Sequence, residues 1–191
     1  MKNFLKITVL SFLIFFFSWF TVDRLGINPL SVQSEDIVPT LITPVAIIKD
    51  HTLYLDNYYD MMIDNYPHPD DKDQERGLTP FYLVKVNKTK TVLWPSNQDT
   101  DSLVPIKISE KHYLSAFPVI TSFLATPVYF LPVKLGMPIT FENLALLGHI
   151  TSALITAFSG GVLYLILREH LSLNEKKSKL LTGVYLFGTI N

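Results

Sequence analysis

The chain has 191 residues, with sixteen lysines and arginines against seventeen aspartates and glutamates, and no cysteine. A net charge of −1 gives no basic field for nucleic acid, and the missing thiols exclude disulfides and thiolate metal sites. Hydrophobic residues make up 48% and the mean hydropathy is +0.28. Because these residues are clustered, they point to membrane spans and not to one globular core. The expected class is mainly α and integral to a membrane, with helical spans and a large extracytoplasmic loop that holds interfacial helices and a short β-hairpin.

Lys2 and Lys6 precede a charge-free run from Ile7 to Val22. Five Phe and Trp19 make this run bulky, and its exit, Ser18 to Arg24, lacks the small-x-small cleavage pattern. An uncleaved signal anchor is expected over residues 1–22, with the N-terminus cytoplasmic. Sixteen uncharged residues rise about 24 Å as a helix. Lys6 can snorkel, so Phe4 and Leu5 lengthen the buried stretch.

Residues 23–112 form the expected extracytoplasmic loop, with fourteen acidic and nine basic residues. Pro39 and Pro44 read as breaks, and Pro44 to Ile48 as one or two helical turns against the membrane. Leu53 to Asp56 reads as extended and Asn57 to Tyr66 as a short helix. Tyr58, Tyr59 and Tyr66 suit an interfacial aromatic belt. His68 to Gly77 reads as a charged, solvated turn or linker. Pro80 to Pro95 has the pattern of a hairpin turning at Asn87–Lys90. Asn87-Lys88-Thr89 matches a glycosylation sequon, which matters only in a secreted eukaryotic context.

Residues 113–142 are expected to be an interfacial or re-entrant segment. The charge-free part, 113–133, contains Pro118, Pro127 and Pro132, each removing a backbone donor and disfavouring a regular helix. If it crossed the bilayer, the lysines that follow the next span would lie outside. A broken segment at membrane depth must be buried in protein or line a cavity, and it would make a floor for a lipid-linked ligand. Residues 143–170 form the second span, closed by Arg168 and followed by Lys176, Lys177 and Lys179, which mark a cytoplasmic end. Within it, Gly160-Gly161 suits close helix packing. His149 is an intramembrane titratable group, by default a functional candidate, but its place near the outer interface favours a structural role. Residues 180–191 begin a third span and stop halfway, so the chain is expected to be the N-terminal part of a longer protein.

Chemistry is sparse. Glu35-Asp36 lies about a dozen residues beyond the first span. A carboxylate there can act as general base on an acceptor hydroxyl, or hold a divalent ion near a phosphate; the plain alternative is a solvated acidic pair. A divalent metal ion is the one cofactor considered, with no ligand set assigned. His51, His68, His112, His149 and His170 lack metal-binding spacing, and no phosphate loop, dinucleotide fingerprint or G-x-S-x-G occurs.

Several stretches carry a resemblance: Ser34-Glu35-Asp36-Ile37-Val38-Pro39-Thr40; Pro44 through Asp56; Phe81-Tyr82-Leu83-Val84; His112-Tyr113-Leu114-Ser115-Ala116-Phe117-Pro118; and Pro127-Val128-Tyr129. In this order they resemble the N-terminal part of the multi-span GT-C-type membrane glycosyltransferases, the group that includes protein mannosyltransferases and lipid A aminoarabinose transferases. Val119 and Ile120 stand where a second Pro and a Gly usually follow. The resemblance implies a polyprenyl-phosphate sugar donor, transfer to an acceptor on the outer face, and a bacterial inner membrane. It implies that Asp36 activates the acceptor or binds metal, with Glu35 a weaker neighbour, and that this segment alone is inactive. Membrane lipid is the other expected partner. The alternative is a non-catalytic membrane protein whose extracytoplasmic loop binds a partner.

Overall fold

The computed structural model describes residues 2–25, 34–96 and 99–188. Residues 26–33 of the expected loop and 189–191 of the expected third span lie outside them. The protein is mainly helical and divides into two compact units, one formed by Met1–Ser31 with Met137–Asn191 and the other by Val32–Gly136.

In the first unit, α1 (Lys2–Arg24) and α5 (Phe141–Leu165) are the long helices, and α5 continues through a π-helical turn at Ile166–His170. Two stretches, Asn3–Val22 and Phe141–His170, are helices long and apolar enough to cross a membrane. The second starts two residues before the expected Asn143. Thr140 is its N-cap, its hydroxyl accepting the Asn143 N–H at 3.3 Å, while the Asn143 side chain donates to the Pro138 carbonyl at 2.9 Å.

The paired glycines serve two neighbours. A β-carbon on Gly160 would stand 2.7 Å from Leu186 of α6 (Glu175–Gly188), and one on Gly161 would meet Phe4 at 2.8 Å and overlap Thr8 of α1. Adjacent residues point about 100° apart on a helix, so one Gly pair lets α5 approach α1 and α6 together. The ring of His149 meets that of Trp19 edge-on at 4.4 Å.

The second unit is built around α2 (Val38–Lys49). The sequence reading took Pro39 and Pro44 as breaks and placed Pro44–Ile48 against the membrane. Instead one helix runs through both prolines, and Val38, Ile42, Val45 and Ala46 are fully buried. Pro39 sits in the first turn, where a missing N–H costs nothing. Pro44 leaves the Thr40 carbonyl without its helical donor, and the Ser122 hydroxyl supplies one at 3.3 Å.

Ser122 belongs to α4 (Ile120–Lys134), a regular helix where a broken segment was expected. It contains Pro127 and Pro132, so two more carbonyls lose their helical donors. Burial of Ser122, Ala125, Tyr129 and Val133, at helical spacing, holds it on α2 nonetheless. Gly136, at φ +85°, ends it.

The short helix α3 (Tyr59–Asn65) follows a 3-10 turn at Asp56–Tyr58. Leu53–Asp56 forms no strand, although the Leu55 N–H bonds to the Tyr113 carbonyl at 2.8 Å. The hairpin is longer than expected. β1 (Leu83–Ser96) pairs antiparallel with β2 (Asp99–Ser115), from Leu83↔Ser115 to Ser96↔Asp99. Asn87–Lys90 is therefore mid-strand and not a turn, with Lys88 opposite Glu110. Tyr113, Leu114 and Ser115 belong to β2 and not to the segment after it.

Candidate functional site

Glu35 and Asp36 lie on a 3-10 turn, Glu35–Ile37, that leads directly into α2. The Ile37 N–H bonds to the Ser34 carbonyl at 3.2 Å, closing the turn. Asp36 is exposed, and the Ser34 hydroxyl donates to its Oδ1 at 2.8 Å. Glu35 is half-buried. Both carboxylates stand at the positive end of α2, where backbone N–H groups favour negative charge.

The Glu35 carboxylate lies near enough to the Tyr82 phenol for its charge to act on it. Tyr82 is fully buried, and burial first and the Glu35 charge second push its hydroxyl well above the ordinary tyrosine range. That hydroxyl donates to the Tyr66 carbonyl at 2.6 Å, tying the residue before β1 to the end of α3. Neither carboxylate lines the pocket of about 400 Å³ between Ile47, His51, Thr52, Leu53 and Phe123.

Two of the three tyrosines expected to form an interfacial belt, Tyr58 and Tyr59, have side-chain neighbours inside this unit. Tyr58 is buried, and burial followed by the Asp50 carboxylate raises its hydroxyl. Tyr59 stacks on Tyr113 at 4.0 Å, and burial together with that neighbour pushes it up to about 12. Charge-rich His68–Gly77 is also more organised than a solvated linker. Asp71 is buried and accepts the Arg76 and Leu78 N–H groups at 2.9 and 2.8 Å, which hold its carboxyl below the ordinary range.

One constellation had no role in the sequence reading. His112 Nδ1 lies 2.7 Å from Asp56 Oδ2, and its Nε2 lies 3.6 Å from Glu110 Oε2. A carboxylate only accepts, so Nδ1 carries the proton. The Tyr113 N–H donates to Asp56 Oδ1 at 2.7 Å, and Tyr54 stacks on His112 at 4.1 Å. Asp56 and His112 are 56 residues apart in the chain, and only the paired strands bring them together. Both stood within the stretches that carry the resemblance, which was the one signal available. The cluster clasps residues 54–56 to β2.

Among the described residues no three His, Asp or Glu side chains gather to hold a metal ion. No protein-family model matches the chain, nor does any curated protein or solved structure.

Proposed function

We propose that the chain is a membrane-embedded part of a glycosyltransferase that moves a sugar from a polyprenyl-phosphate donor to an acceptor hydroxyl at the outer face of a bacterial inner membrane. In this reading α1 leaves the cytoplasm and α5 returns to it, so the residues between them occupy the outer side. Basic residues flank both cytoplasmic ends.

The observation that carries this reading is the exposed face of α4. The helix has fifteen residues, rising about 22 Å against a hydrocarbon core of about 30 Å. It presents Ile120, Phe123, Leu124, Phe130 and Leu131 outward, each more than half exposed. A helix apolar on both faces, one seated on α2, suits a bilayer surface better than water. Ser122, on the opposite, buried face of this helix, is bonded to Thr40, one helical turn beyond Asp36. We place Asp36, an exposed carboxylate, near the membrane boundary, where a lipid-linked phosphate would also reside.

Asp36 then acts as general base. Its carboxylate accepts the proton of the acceptor hydroxyl while that oxygen bonds to the anomeric carbon. The bond from this carbon to the donor oxygen breaks, and its electron pair leaves on the polyprenyl phosphate. The Ser34 hydroxyl orients the carboxylate. In the full natural chain, Asp36→Asn is expected to lower sugar transfer by about 10²–10⁴ at normal expression, with Glu35→Gln closer to wild type. Undiminished transfer by Asp36→Asn would remove the role.

A partner-binding role stands second. Its support is the hairpin, a two-stranded sheet among the described residues, whose outer edges offer unpaired backbone groups to a further strand.

A further inference from the structure

The first unit contains a groove of about 380 Å³ between α1 and α6, within the size range of small-ligand sites. Its walls are apolar, with Leu10, Ile14, Leu186 and Phe187 among them. Phe15 stacks on Phe187 at 5.5 Å beside it. Its other end carries the ammonium groups of Lys6 and Lys179. Lys179 is bonded to Glu175 at 2.5 Å, whereas Lys6 has no acidic partner among the described residues.

A second observation points to a ligand. Thr182 lines the groove, is 1% exposed, and its hydroxyl has no hydrogen-bond partner. A buried hydroxyl left unpaired costs about 1–3 kcal/mol, so this group is poised for an acceptor from outside the chain. Lys176 and Lys177 in the first turn of α6 add positive charge at the same end.

We infer that this groove binds one anionic glycerophospholipid of the cytoplasmic leaflet. The phosphate sits against Lys6 and Lys179, an ester carbonyl accepts the Thr182 hydroxyl, and an acyl chain lies along Leu10, Ile14 and Leu186. Charge complementarity selects an anionic lipid over a neutral one, and the apolar walls select a lipid over free phosphate. The inference rests on the membrane reading given above and is independent of the glycosyltransferase step.

The test is native mass spectrometry of the full chain in a neutral detergent, titrated with dioleoyl-phosphatidylglycerol, dioleoyl-phosphatidylcholine or inorganic phosphate. A saturable one-to-one adduct with phosphatidylglycerol is expected, with phosphatidylcholine at least about fivefold weaker and phosphate not retained. Lys6→Gln should weaken the phosphatidylglycerol adduct about fivefold, and Thr182→Val, which removes the donor to an ester carbonyl that both lipids carry, should weaken both adducts. Gly183 also lines the groove, and a β-carbon there meets no atom within 4 Å. The side chain of Gly183→Leu therefore starts into open space, should fill the groove and should abolish the adduct. Equal binding of the two lipids, retention of inorganic phosphate, or an adduct unchanged in both Lys6→Gln and Gly183→Leu would each overturn the inference. Alkaline extraction of cell membranes separates the two readings. A chain that stays in the pellet yet shows no lipid preference refutes the groove site alone, and a chain released to the supernatant refutes both.

Discussion

The hydroxyl of Ser122 donates to the carbonyl of Thr40 at 3.3 Å, and Thr40 is the residue whose helical donor Pro44 removes. A defect inside α2 is repaired by a side chain of α4, with Ser122 buried and Thr40 half-buried. Ser122→Ala should therefore leave a half-buried carbonyl unpaired and cost about 1 kcal/mol. Pro44→Ala restores the missing N–H, so the same serine substitution should cost clearly less in that background. Hydrogen exchange of the α2 and α4 amides, measured for the four corners of this double-mutant cycle, reads the coupling. Equal costs in both backgrounds would show that Ser122 does not serve the orphaned carbonyl.

This relationship also marks where the sequence stops being legible. That Asn3–Val22 and Phe141–His170 form helices long and apolar enough to cross a membrane follows from apolar length alone, and length survives any tertiary detail. Pro39, Pro44, Pro127 and Pro132 misled because their usual meaning is local, while the partner that rescues the Thr40 carbonyl lies 82 residues away. Asn87–Lys90 looked like a turn because a two-stranded ribbon has no fully buried face to impose alternation on its polar residues. Glu35 and Asp36 were found as candidates from their position after the first span. The Asp56–His112 clasp was not, because its spacing exists only once Leu83–Ser115 is paired.

Asp71 makes acid stability measurable. Its folded carboxyl lies below its ordinary value of 3.8, held there by the Arg76 and Leu78 N–H groups. A group depressed on folding stabilises the fold above its unfolded value, and that stability is lost as pH falls through the folded value. Unfolding midpoints should therefore decline below about pH 4, and Asp71→Asn should flatten this part of the curve while lowering the plateau near neutrality. An unchanged acid slope in Asp71→Asn would show that other carboxylates set it.

The two span glycines should respond unequally to the same added methyl. On Gly160 it meets Leu186, whose flexible end can swing aside or shift with α6. On Gly161 it meets the short, β-branched Thr8 and the ring of Phe4, which have little room to rotate. Gly161→Ala should cost about 1–3 kcal/mol of overpacking between α1 and α5, and Gly160→Ala less. Thermal unfolding in detergent checks the order. Equal shifts of the unfolding midpoint in both variants would refute the asymmetry.

These 191 residues contain no cysteine, so a single thiol introduced among them reports its own side of the membrane with no background from this segment. In the proposed arrangement α4 lies on the outer surface and α5 makes the return crossing. Lys134→Cys should then react with a membrane-impermeant maleimide on intact cells, and Lys177→Cys only after permeabilisation. Opposite labelling by itself does not settle the matter, because a crossing α4 would also separate the two positions, with the sides exchanged. The identity of the labelled side decides. Protection of Lys134→Cys with labelling of Lys177→Cys would make α4 a span despite its fifteen residues, and the outward face of Phe123, Leu124 and Phe130 would then be buried across the bilayer and not along its surface. Asp36 would lose the interfacial floor on which its proposed role depends.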